Sequence, residues 1–104
     1  MTTDNLKHQL IKKLLPLKPE KVVLFGSLAS GKFVSGKSDV DLLVVKNSHK
    51  NMSERFAQVR LLLPDDTPFD LFVLTKKELS KKLRDSFFFR DIIQYGEVLY
   101  EKKE

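Results

Sequence analysis

Leu6, Leu10, Ile11 and Leu14 recur at intervals of one, three and four residues, which predicts a helix over 4–15. Asp4 stands where a cap is wanted, Pro16 and Pro19 end the run, and Lys7, Lys12 and Lys13 take the opposite side. The period then changes. Lys21–Phe25 carries an unbroken Val-Val-Leu-Phe, the mark of a short buried strand, and leads directly into Gly26-Ser27. Residues 28–38 hold Gly31, Gly36 and three serines, so they read as turn, with room for one helical turn at the start. Asp39–Val45 is a second strand and 47–51 a polar loop. Ser53–Leu63 is a second long helix, capped by Ser53, with Phe56, Val59, Leu62 and Leu63 facing inward. Pro64–Pro68 is a turn and Phe69–Leu74 a third strand. Thr75, with Glu78 three residues on, forms a capping box for a further helix. Helical character continues, with a break, through Ser86–Tyr95, Gly96 stops it, and Val98–Tyr100 adds a short last strand before a solvated tail. This order predicts an α/β (α+β) fold: one small mixed β-sheet with helices packed on it, in a single domain spanning 1–104.

Composition narrows the chemistry. Apolar residues make up 41% and charged residues 32%, as in an ordinary globular protein. With no cysteine there are no disulfides, thiolate metal sites or thiol nucleophiles, so catalysis falls to carboxylates, hydroxyls, lysines or the two histidines. His8 and His49 lie in a helix and a polar loop, where a surface position suffices. No apolar run nears the ~20 residues of a membrane helix, and Met1–Leu10 lacks the apolar middle of a secretory signal, so a cytoplasmic protein is expected. The net charge of +5 favours polyanionic partners but equally describes a lysine-rich surface. Lys76, Lys77, Lys81, Lys82 and Arg84 could bind nucleic acid, though a solvated helix face explains them better.

Three features fall at the edges of the strands: Gly26-Ser27, the pair Asp39 and Asp41, and Asp70. Residues two apart on a strand project from one face, so Asp39 and Asp41 point the same way at the mouth of the apolar run Leu42–Val45. Two adjacent carboxylates repel unless a cation neutralises them, and hard oxygen donors suit Mg²⁺. Asp70 interrupts an apolar run, where an unpaired charge is costly. On a neighbouring strand it would complete a three-carboxylate cluster able to hold two metal ions and to accept a proton from an incoming hydroxyl. Gly26 permits close approach of a phosphate, Ser27 adds a hydroxyl, and a helix starting there would add N–H groups and a favourable dipole. Residues 31–38 formally fit the P-loop pattern, but a strand follows rather than a helix, which excludes that reading. Phe87, Phe88 and Phe89 cannot all face one core, so part of the run is available to a partner or a second subunit in a homo-dimer.

Taken together, Phe25-Gly26-Ser27, Ala29, Gly31 and Ser38-Asp39-Val40-Asp41-Leu42-Leu43-Val44, followed by Phe69-Asp70-Leu71 and the ending 93–101, resemble the DNA polymerase β-like nucleotidyltransferases, most closely the minimal nucleotidyltransferase group. The resemblance implies a polymerase β palm-like fold. It also implies ATP as donor, two Mg²⁺ ions held by Asp39, Asp41 and Asp70, and Gly26 and Ser27 against the triphosphate. Ser30 stands where many relatives carry arginine, and the interval from Ser27 to Asp39 is one residue longer than the commonest spacing, leaving Lys32 or Lys37 to supply the positive charge. Such proteins are often encoded beside a HEPN-domain ribonuclease toxin and act as its antitoxin by transferring AMP to a toxin tyrosine. Neutralisation by binding alone is the alternative.

Overall fold

A computed structural model describes residues 3–34 and 37–103. The elements run α1 (Thr3–Leu14), a 3-10 turn (Leu15–Leu17), β1 (Lys21–Phe25), α2 (Gly26–Ser30), β2 (Val40–Val45), α3 (Met52–Arg60), β3 (Phe69–Leu74), α4 (Lys76–Asp85), α5 (Phe87–Tyr95) and β4 (Glu97–Glu101). The four strands form one sheet in the order β3-β2-β1-β4. β1 is antiparallel to both its neighbours, while β2 and β3 are parallel and joined by the crossover that contains α3. The expected mixed sheet with packed helices is the fold observed.

Alternation along the strands sorts the apolar side chains into two layers. Val22 and Leu24, Val40, Leu42 and Val44, and Leu71 and Val73 face Leu6, Leu10 and Leu14 of α1, Leu28 of α2 and Val59 of α3. Val23, Phe25, Leu43, Val45 and Leu74 face Phe89 and Ile92 of α5, with Leu79 and Leu83 of α4 at the margin. The two central strands are therefore covered on both faces, which is why their sequences read as continuous apolar runs rather than alternating ones. No helix among the described residues is long and apolar enough to cross a membrane.

Local signals set most of the boundaries. The capping box at α4 is complete: Thr75 Oγ1 accepts from the Glu78 N–H at 3.1 Å and a Glu78 carboxylate oxygen accepts from the Thr75 N–H at 2.9 Å. Ser86 ends α4 and caps α5. Only Phe89 of the three successive phenylalanines is buried, while Phe88 is half-exposed and Phe87 is 79% exposed beneath the Arg90 guanidinium. Glu101, expected in the tail, is the last residue of β4.

The second long helix departs from expectation. α3 begins at Met52, and its cap is Asn51, whose side chain accepts from the Glu54 N–H at 2.9 Å, instead of Ser53. Phe56 is exposed, and Leu62 and Leu63 follow the helix rather than belonging to it. The inward positions are Arg55 and Val59, four residues apart. Arg55 is 3% exposed because its guanidinium meets Glu78 of α4 with contacts of 2.7 and 2.9 Å. A charged partner on α4 thus allows Arg55 an inward position while Phe56 stays exposed.

Candidate active site

The end of β1 and the starts of β2 and β3 lie at the same end of the sheet. Register places Asp41 between Phe25 on one side and Asp70 on the other. Adjacent strands lie about 4.8 Å apart, so the two carboxylates are direct neighbours in the ladder. Both belong to the face that carries Phe25, Leu43 and Leu74, because their flanking residues Val40, Leu42 and Leu71 face the opposite layer. Asp39 precedes β2 by one residue and, like Asp70, is exposed, whereas Asp41 is half-buried. Burial raises the Asp41 carboxyl above its ordinary range, and the negative charges of Asp70 and Asp39 push it further in the same direction.

Gly26 fits against this group. It has φ +69°, and a Cβ there would collide with Asp41 Oδ2 and lie 2.9 Å from Asp41 Cγ. Glycine is thus required twice, by the left-handed backbone and by the carboxylate seated against it. α2 has only five residues, so the helix dipole expected behind the glycine–serine corner is small. What remains is bare backbone and the Ser27 hydroxyl, which makes no hydrogen bond to any described residue. The Ser27 carbonyl accepts from Lys32 N–H at 2.9 Å and Ser30 Oγ at 3.3 Å, closing the turn. Further on, Ser38 Oγ accepts from the Val34 N–H at 3.0 Å, and β2 follows, so no helix opens after the formal P-loop pattern. Gly36 of that pattern lies outside the described residues. Lys37 is exposed on the same loop.

The donor set, three carboxylates whose mutual repulsion already disturbs Asp41, suits a hard divalent cation. Among the described residues, no three acidic or histidine side chains form a ready-made metal cage. Mg²⁺ does not need one, since it is commonly held by one or two carboxylates with substrate phosphates and water completing the shell.

On the side of Gly26 away from β3, a cavity of about 250 Å³ opens between α2 and α5. Its floor is Phe25 and Ile92, and its rim carries Phe88, Asp91 and Tyr95. Asp91 and Tyr95 carry no role that their place in the sequence suggests. They reach this end of the sheet because α5 runs into β4, which pairs beside β1. That pairing is non-local, and its trace in the chain is the ending 93–101, which resembles the family without marking a site residue.

The comparisons agree with this architecture. A search of curated proteins found no match. A crystal structure of a candidate nucleotidyltransferase from Sulfolobus solfataricus has the same fold, with a TM-score of 0.58 and 22% identity over 76% of this chain and 75% of that one. The family model for the nucleotidyltransferase domain matches residues 7–103. With paired carboxylates beside a glycine–serine corner and nearly its whole length matched, the chain belongs to the nucleotidyltransferase domain family.

Proposed function

We propose that the protein uses Mg²⁺ to transfer AMP from ATP to a hydroxyl of a partner protein. The observation that carries this reading is the register of β2 and β3, which pairs Asp41 with Asp70 beside the close-packed Gly26. Gly26 and Ser27 receive the triphosphate, and Lys37, exposed on the following loop, supplies positive charge to it. Asp39 and Asp41 would hold Mg²⁺, and Asp70 would help to hold a second ion. When bound, Mg²⁺ offsets phosphate charge and stabilises the negative charge that builds on the departing group. Asp70, exposed on the outer strand, accepts the proton of the acceptor hydroxyl. The hydroxyl oxygen then forms a bond to the α-phosphorus, the bond from that phosphorus to the bridging oxygen breaks, and pyrophosphate leaves.

The resemblance to antitoxins of HEPN–nucleotidyltransferase pairs supports a tyrosine of a HEPN ribonuclease as the acceptor. The exposed Phe87 offers such a partner an apolar contact. Incubation with labelled ATP, Mg²⁺ and the co-encoded partner should place label on tyrosine. A tight complex without label would support neutralisation by binding alone, a reading favoured by Ser30 in place of the family's arginine. Unimpaired turnover by Asp41→Asn would overturn the assignment of the site.

A further inference from the structure

We propose that the cavity between α2 and α5 seats the base of the nucleoside triphosphate, and that Asp91 and Tyr95 make it selective for bases carrying an amino group. This rests on the nucleotidyl-transfer reading and extends it to the substrate's base. The sheet order fixes the sides of the site. Asp70, on β3, flanks Asp41 on one side, and the cavity flanks Gly26 on the other. The acceptor enters beside Asp70, so the cavity lies on the donor's side. Gly26 lines the cavity and also packs against Asp41, which makes the base site and the phosphate corner continuous.

Size and chemistry select the occupant. About 250 Å³ is below the range of pockets that enclose whole drug-sized ligands, so the cavity suits one ring system with the rest of the nucleotide outside. Phe25 and Ile92, both nearly buried, give it an apolar floor. Phe88 is held edge-on by Phe25 at 5.8 Å and by Phe72 at 5.6 Å between centroids, so its ring is fixed at the rim. Tyr95 is 74% exposed, an aromatic face without a cover. The Asp91 carboxylate makes no hydrogen bond or ion pair with a described residue. A carboxylate only accepts hydrogen bonds, so it favours base edges that present an amino group. Gly96 lets the chain at the edge of the cavity pack directly on β1: a Cβ there would meet Val23 Cγ1 at 2.7 Å and the Leu24 carbonyl oxygen at 2.8 Å.

The test is calorimetric titration of the intact chain with Mg²⁺ and ATP, UTP or tripolyphosphate, the last as a probe without a base. Stacking on one aromatic ring contributes a factor of roughly 5 to 150 in affinity, so Tyr95→Ala should weaken ATP by about tenfold and Tyr95→Phe should not. Asp91→Asn should weaken ATP several-fold and narrow its advantage over UTP. Neither change should move tripolyphosphate. Unchanged ATP affinity in both variants overturns the base site while nucleotidyl transfer stands. Equal losses for ATP and tripolyphosphate show a distorted site and also overturn it. If the unaltered protein binds no ATP, the inference and the reading beneath it fall together.

Discussion

The two faces of the sheet are built to different ends. On one, α1, α2 and α3 lay leucine and valine against every inward position of the three longest-buried strands, and the layer is closed. On the other, α4 and α5 cover the same strands only in part, and the starts of β2 and β3 carry Asp41 and Asp70 where the first face carries Val40 and Leu71. A one-residue shift in either strand would exchange these sets, burying the carboxylates and exposing the valines. The closed face thus fixes the register on which the open face depends. Stability and chemistry share the same strands but alternate along them.

The contrast is broken most severely at Asp41. Asp41→Asn should lower transfer by about a thousandfold, the scale of losing a principal electrostatic group from an active site, while circular dichroism shows the fold retained. Gly26→Ala attacks the junction between the faces, because a methyl group meets the Asp41 carboxylate and the backbone is left-handed. It should destabilise by about 3 kcal/mol in denaturant unfolding and weaken ATP binding as well. Arg55→Ala acts on the closed side by removing the guanidinium that ties α3 to Glu78 of α4. Glu78 keeps partial access to solvent and its bond to Thr75, so a loss of about 2 kcal/mol is expected, less than for a fully buried pair.

The smallest effect concerns acidity. The folded state holds the Asp41 carboxyl above its unfolded value, so the folded chain binds more protons than the unfolded one through that interval. Without metal, this group's contribution makes the protein less stable as pH rises from the ordinary carboxylate range through the elevated one. Asp41→Asn should therefore be more stable than the parent at neutral pH, with a higher Tm. Saturating Mg²⁺ should narrow that gap, and differential scanning fluorimetry with and without the ion measures it.

Much of this was legible along the chain because the determinants are local. The apolar runs of β1 and β3 match the strands observed to the residue, and β2 starts one residue after Asp39. The Thr75–Glu78 capping box lies within four residues and needs no tertiary context. The start of α3 was ambiguous because Asn51 and Ser53 are both good caps, and its inward face was illegible because Arg55 is buried only by meeting Glu78, twenty-three residues further on. Within the site, the spacing of Asp39 and Asp41 was readable. The meeting of Asp41 with Asp70 depended on a parallel crossover, and Asp91 and Tyr95 depended on β4 returning beside β1.

β4 has a consequence of its own. It is an outer strand, so one row of its backbone donors and acceptors is free to recruit another chain. Glu97 and Glu101 stand at its two ends. Antiparallel self-pairing centred on Leu99 would oppose Glu97 of each copy to Glu101 of the other, a like-charge contact that Lys7 and Lys21, their partners at 2.8 and 3.4 Å, offset in part. Such a pairing is closed by its own two-fold symmetry, so any assembly through this edge would stop at two copies.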